Sequence, residues 1–185
     1  MSGMINKCCV FFLSFSTLCG VASAELRLPA VISSNMVLQR EKPIPLWGWA
    51  ADGDEVAVTL GANGKKTKAG KDGRWAVKLD ALPAGGPHEL KVKAAGKEIV
   101  LSNVLVGEVW LCSGQSNMEW SVRASNNPRE EAANAKYPRI RLFHVPKRPA
   151  TTPQDDVKAS WRECTPESVV NFSAVGYFFG RHLHG

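Results

Sequence analysis

Ser116 is the side chain of this sequence best placed to act as a nucleophile. It sits in Ser113-Gly114-Gln115-Ser116-Asn117, a polar, glycine-containing turn that follows the nearly continuous apolar run from Val104 to Cys112. A run of that kind predicts a strand covered on both faces. A tight turn at its end would hold a hydroxyl at the carboxyl edge of a parallel sheet, where α/β folds place their sites. Gly114 permits either close backbone packing or an unusual dihedral just before the serine. Backbone N–H groups in such a turn can point at a developing oxyanion, and each is worth about 3 to 4 kcal/mol of transition-state stabilisation. Gln115 and Asn117 flank the serine, and either donate to a substrate or shape the turn. Trp120, just after the turn, offers an aromatic face to a bound ring.

A serine hydroxyl is a weak nucleophile and needs an adjacent base, usually a histidine oriented by a carboxylate. The sequence has four histidines, His88, His144, His182 and His184. His88 falls beside a turn in a strand-rich region and reads as a surface residue. His144 ends a predicted strand and could reach a site at a sheet edge. His182 and His184 close a predicted helix, where positive charge suits the dipole. None follows an aspartate by three residues, so the nucleophile has no recognisable base. Trp110, on the predicted buried strand, reads as core. No Cys/His cluster has metal-ligand spacing and no phosphate-binding loop is present, so no metal or cofactor is expected. The tripeptide Ser34-Asn35-Met36 repeats Ser116-Asn117-Met118. The earlier copy follows no long buried strand and has no glycine in the pair before it, so it reads as packing and turn.

The elements that must position Ser116 divide in two. Residues 25 to 103 alternate apolar and polar side chains, as in Val56, Val58 and Leu60, in Trp75, Val77 and Leu79, and in Leu90, Val92 and Ala94. That period of two marks half-buried antiparallel strands. Asp52-Gly53, Asn63-Gly64, Asp72-Gly73 and Gly85-Gly86-Pro87 supply turns, which predicts a β-sandwich-like domain. Residues 104 to 185 switch pattern and read as the start of an α/β domain with a parallel sheet. A helix is predicted from Pro128 to about Ala135, with Asn127 as N-cap. A strand is predicted over Ile140 to Val145, an exposed loop over Lys147 to Lys158, and a helix over Ser173 to His184. Two strands and two helices are too few to cover such a sheet, so this portion is expected to lack its C-terminal part.

Residues 1 to 24 combine a basic start at Lys7, an apolar stretch and Ala22-Ser23-Ala24, the pattern of a cleaved signal peptide. The apolar run falls short of the roughly 20 residues needed to span a bilayer. Export to the periplasm or beyond is the expectation. Cleavage would leave Cys112 and Cys164. The compartment permits a disulfide between them, although the apolar approach to Cys112 favours a small buried thiol. Net charge is +6, but the lysines scatter over strand-like stretches, without the concentrated stripe that nucleic-acid binding requires.

The segment Gly107-Glu108-Val109-Trp110-Leu111-Cys112-Ser113-Gly114-Gln115-Ser116-Asn117-Met118-Glu119-Trp120 resembles the nucleophile block of the sialate O-acetylesterase family and its acetylxylan-esterase-like relatives, serine esterases of the SGNH-hydrolase type. Leu26-Arg27-Leu28-Pro29-Ala30, Met36-Val37-Leu38-Gln39-Arg40 and Trp47-Gly48-Trp49-Ala50 are similar to the start of that family's N-terminal β domain. Phe172 to Arg181 resembles the helix that follows the nucleophile. The resemblance implies removal of O-acetyl groups from a carbohydrate through an acetyl-Ser116 intermediate. It also implies that the Ser116 N–H contributes to the oxyanion hole. The family's catalytic aspartate and histidine, three residues apart, have no matching positions, nor do its further oxyanion glycine and asparagine. Little or no esterase activity is therefore expected from this chain alone. The competing expectation is a non-catalytic carbohydrate-binding or structural fragment.

Overall fold

The computed structural model describes residues 25–184, so the leader reading over 1–24 lies outside the described residues. Seven strands come first: β1 (Val37–Gln39), β2 (Ile44–Trp49), β3 (Glu55–Leu60), β4 (Asn63–Lys68), β5 (Arg74–Leu79), β6 (Gly85–Ala94) and β7 (Lys97–Gly107). Then follow α1 (Ser116–Glu119), α2 (Pro128–Asn134), β8 (Tyr137–Phe143), β9 (Trp161–Cys164), α3 (Pro166–Val169) and α4 (Ala174–His184).

Strands β1, β7, β6, β3 and β4 form one sheet in that order, and β2 pairs with β5 in a second. The alternating pattern works as expected. Val56, Val58 and Leu60 stand opposite Ala94, Val92 and Leu90 across the β3–β6 register, and all six are buried. Directly opposite residues share a face, so this pairing delivers a continuous apolar layer. Ile44, Leu46, Trp75 and Leu79 of the second sheet join the same core. The larger sheet is mixed, not purely antiparallel, because β1 runs parallel to β7. Asn63-Gly64 is not a turn but the start of β4; Gly61, with φ +59°, makes the reversal before it. Lys65, Lys66 and Lys68 crowd β4, an edge strand, where charge blocks pairing with other chains.

The structure corrects the reading of the apolar run. Strand β7 passes through residue 103 and ends at Gly107, between β1 and β6. Val104 and Val106 are buried in the sandwich core and do not begin a new sheet. Beyond them Glu108 to Gly114 is irregular and unpaired. Val109, Trp110 and Leu111 are exposed, Leu111 at 91%. An apolar run signals burial without saying which neighbours supply it; here the first half is absorbed by the β-sheet and the second half has no partner strand. The β8–β9 pair, the only strand pairing beyond Gly107 among the described residues, is antiparallel.

A second apolar cluster gathers Val122, Ala135, Leu142, Cys164, Val169, Ala174 and Tyr177. Arg141 ties it to the first. Its side chain is 3% exposed and lies 3.5 Å from the Glu163 carboxylate. It donates to the Asn35 carbonyl at 3.2 Å, the Asn103 carbonyl at 3.2 Å and Asn103 Oδ1 at 3.0 Å. Asn35 and Asn103 both hold positive φ, +68° and +58°, a conformation asparagine tolerates better than most residues. Burial pulls the Arg141 pKa below its ordinary value, and the nearby Glu163 charge opposes that pull.

Candidate active site

Ser116 is the first residue of α1, preceded by Gln115 at φ −112°, ψ −140°. Glu119 N–H donates to the Gln115 carbonyl at 3.2 Å and Trp120 N–H to the Ser116 carbonyl at 3.1 Å, which closes the single helical turn. The first amides of any helix lack intrahelical acceptors. Accordingly neither the N–H nor the Oγ of Ser116 has a hydrogen-bond partner among the described residues, and the side chain is exposed.

Gly114 does not take a positive φ. A Cβ there would meet the Met118 Cβ at 3.2 Å, so close packing is what the glycine supplies. Met118 in turn accepts from Ser173 Oγ at 3.3 Å. Ala174 N–H donates to the Trp120 carbonyl at 2.7 Å, and Val122 N–H to the Phe172 carbonyl at 3.1 Å. The serine turn is thus suspended from the start of α4. At its other end, Glu108 accepts from Gln39 Nε2 at 3.0 Å and Arg40 Nε at 2.7 Å. The hydrogen bond from Gln39, then that from Arg40, holds the Glu108 carboxyl below the usual carboxylate range. Lys147, in the loop after β8, pairs with Glu119 of α1.

Gln115 and Asn117 are exposed and make no side-chain hydrogen bond among the described residues. Trp120, 57% exposed, is steadied by its indole N–H donating to the Ala124 carbonyl at 2.7 Å. Trp110 is not in a core: it is 58% exposed and meets Phe179 edge-on at 5.1 Å. Trp161 is structural, donating to the Val31 carbonyl at 2.8 Å and meeting Phe143 at a 45° tilt. No histidine bonds to Ser116 among the described residues. His144 sits just past β8, 6.2 Å from the Phe172 ring, and His184 is 6.2 Å from Tyr137. His88 lies within β6.

Cys112 and Cys164, the cysteines among the described residues, are both free, and the expected burial is reversed at Cys112, which is exposed because its segment has no partner strand. Burial pushes the Cys164 thiol from an ordinary 9.0 up to about 11. Asn127 precedes α2 in a left-handed conformation and makes no side-chain cap bond. Sequence reasoning missed the Arg141 clamp. Its signal was available only in hindsight, as two asparagines at positions that need positive φ.

No family model matches the chain. The sialate O-acetylesterases of Pongo abelii and Homo sapiens are each 35% identical to it, over alignments covering 88% of this chain and 35% of theirs. A crystal structure of a carbohydrate acetylesterase from Xanthomonas citri superposes with a TM-score of 0.83 at 38% identity, covering 86% of this chain and 37% of that one. The chain therefore spans about a third of the length of the relatives it matches.

Proposed function

This chain belongs to the sialate O-acetylesterase family, and we propose that it carries the nucleophile of a serine carbohydrate acetylesterase whose general base lies in a portion of the fold beyond these residues. The observation that carries the reading is Ser116 itself, exposed at the head of α1 with its hydroxyl and N–H both unpartnered. Its Oγ would attack the acetyl carbonyl carbon while a base takes its proton. The Ser116 N–H would then face the oxyanion, and the sugar hydroxyl would leave with a proton to give an acetyl-serine. Water would complete the cycle by the same route.

Two features support an incomplete catalyst. Relatives bearing the acetylesterase name are about three times as long in the alignments above. The apolar run Val109-Trp110-Leu111 is exposed and has no partner strand among the described residues, which supports a surface that further chain would cover. The signal-like residues 1–24 support action outside the cytoplasm on an O-acetylated sugar or polysaccharide.

Hydrolysis of 4-nitrophenyl acetate tests the proposal in the chain, in a fusion and in the Ser116→Ala variant of each. The chain alone should match its Ser116→Ala variant, because general-base help is worth about 10² to 10⁴ in rate. The chain fused ahead of the remaining part of the human relative should turn over substrate and lose that activity on Ser116→Ala. Serine-dependent turnover by the chain alone would overturn the incomplete catalyst; an active fusion indifferent to Ser116→Ala would overturn the nucleophile.

A further inference from the structure

Helix α1 is 4 residues long, too short to hold its own shape, because a first turn fixes several dihedrals for very few hydrogen bonds. Its geometry, and with it the direction of the Ser116 hydroxyl and N–H, is imposed from outside. The start of α4 does this. Ser173 directly precedes α4 and takes the N-cap position: its carbonyl accepts from Tyr177 N–H at 2.9 Å and its Oγ from Gly176 N–H at 3.2 Å. The same hydroxyl donates its proton to the Met118 sulfur at 3.3 Å.

That second bond reaches into α1. A methionine side chain has three rotatable bonds and a weakly accepting sulfur, so a hydroxyl on the sulfur selects one arrangement among several. Met118 Cβ would stand 3.2 Å from a Cβ on Gly114, so the place of Met118 sets the place of the chain just before Ser116. The Trp120 carbonyl accepts from Ala174 N–H at 2.7 Å, and Ser121 pairs with Ser173 in an antiparallel bridge. A Cβ on Gly176 would lie 3.6 Å from Cys112 Sγ. The chain entering the serine turn therefore rests on the same turn of α4 as the chain leaving it.

We propose that Ser173 is a positioning residue for the nucleophile. Its hydroxyl caps α4 by accepting and orients α1 by donating to Met118, which fixes how Ser116 is presented. The proposal rests on Ser116 being the nucleophile and adds the residue that aims it.

Three substitutions separate capping from aiming. Ser173→Asp keeps an N-cap acceptor and loses the proton for sulfur; Ser173→Thr keeps both; Met118→Leu removes the sulfur at nearly constant volume. Amide hydrogen exchange on the full chain is read at Glu119 and Trp120, whose N–H groups close α1, and at Gly176 and Tyr177, whose N–H groups begin α4. Ser173→Asp and Met118→Leu should each speed exchange at Glu119 and Trp120 by about threefold to tenfold, the range of one hydrogen bond. Gly176 and Tyr177 should not change, and Ser173→Thr should match the natural chain. Unchanged exchange in α1 of Ser173→Asp, or a rise in α4 in step with α1, would reduce Ser173 to a cap and overturn the proposal.

In the fusion with the remaining part of the human relative, Ser173→Asp should lower kcat at least about tenfold with KM unchanged, because a small misplacement of a reacting group slows chemistry without weakening binding. Ser173→Thr should restore the rate. Unchanged kcat in a fusion that depends on Ser116 would also overturn the aiming role. A fusion whose activity survives Ser116→Ala sinks the nucleophile instead, and hydrogen exchange then decides the Ser173–Met118 link by itself.

Discussion

Ser116 and Ser34 share a tripeptide but differ in what surrounds the hydroxyl. Ser34 Oγ accepts from Ser102 N–H at 3.0 Å, and Asn35 Oδ1 accepts from Asn103 Nδ2 at 2.8 Å. The earlier copy is therefore a piece of packing, as its sequence context suggested, while Ser116 is free. The cysteines make a comparable pair. Iodoacetamide at pH 8 should label Cys112 and spare Cys164 in the folded chain, with peptide mapping as the readout. The raised Cys164 pKa also has a sign. The folded state keeps its proton longer than the unfolded chain, so the associated stability is complete below pH 9.0 and fades as pH rises towards about 11. Urea titrations across that window should show a steeper alkaline loss for the natural chain than for Cys164→Ala, by on the order of 2 kcal/mol.

At the scale of elements, strand periodicity was the most legible signal, because alternation reports directly on which face is buried. Strands β3, β5 and β6 follow it closely, and α4 begins within a residue of expectation. The run after Val104 misled because apolar composition carries no information about partners. The parallel β1–β7 pairing and the Asn63-Gly64 strand start were hidden for the same reason: they are decided by tertiary neighbours. Within α4, Tyr177 is fully buried and its hydroxyl makes no geometrically formed hydrogen bond among the described residues, with the Arg181 guanidinium over its ring as the donor at hand. A buried hydroxyl without a partner costs free energy. Tyr177→Phe should therefore be neutral or stabilising by up to about 1 kcal/mol, measured by chemical denaturation. A loss of stability would mean that the hydroxyl is bonded after all.

The two apolar clusters are joined by a buried guanidinium, alongside Trp161, which packs against the first cluster, and the Asn103–Glu163 hydrogen bond. Arg141 reaches back to the carbonyls of Asn35 and Asn103 and forward to Glu163. Cutting it to alanine takes that donor from the part-buried Asn35 and Asn103 carbonyls, while Glu163 keeps its hydrogen bond from Asn103 Nδ2. Arg141→Ala should cost about 3 kcal/mol, in the range for breaking a buried charge network. Arg141→Lys should fall between, because an ammonium cannot fork to two asparagines. Thermal unfolding should then separate into two transitions in the alanine variant if this clamp is what couples the clusters. A single unbroken transition would place the coupling elsewhere. None of this was readable from sequence, since Arg141 lies in a strand whose other side chains give no hint of a buried charge.

The division of the cores also orders events in time. Every fully buried member of the first cluster lies between Leu26 and Val106, and every one of the second lies between Val122 and Tyr177. A nascent chain emerging N-terminus first can close its β-sandwich while the serine turn is still being synthesised. Arg141 then arrives at a surface already formed, with both asparagine carbonyls waiting in place. The unpaired stretch from Glu108 to Gly114 lies between the two clusters in sequence and keeps Val109, Trp110 and Leu111 exposed.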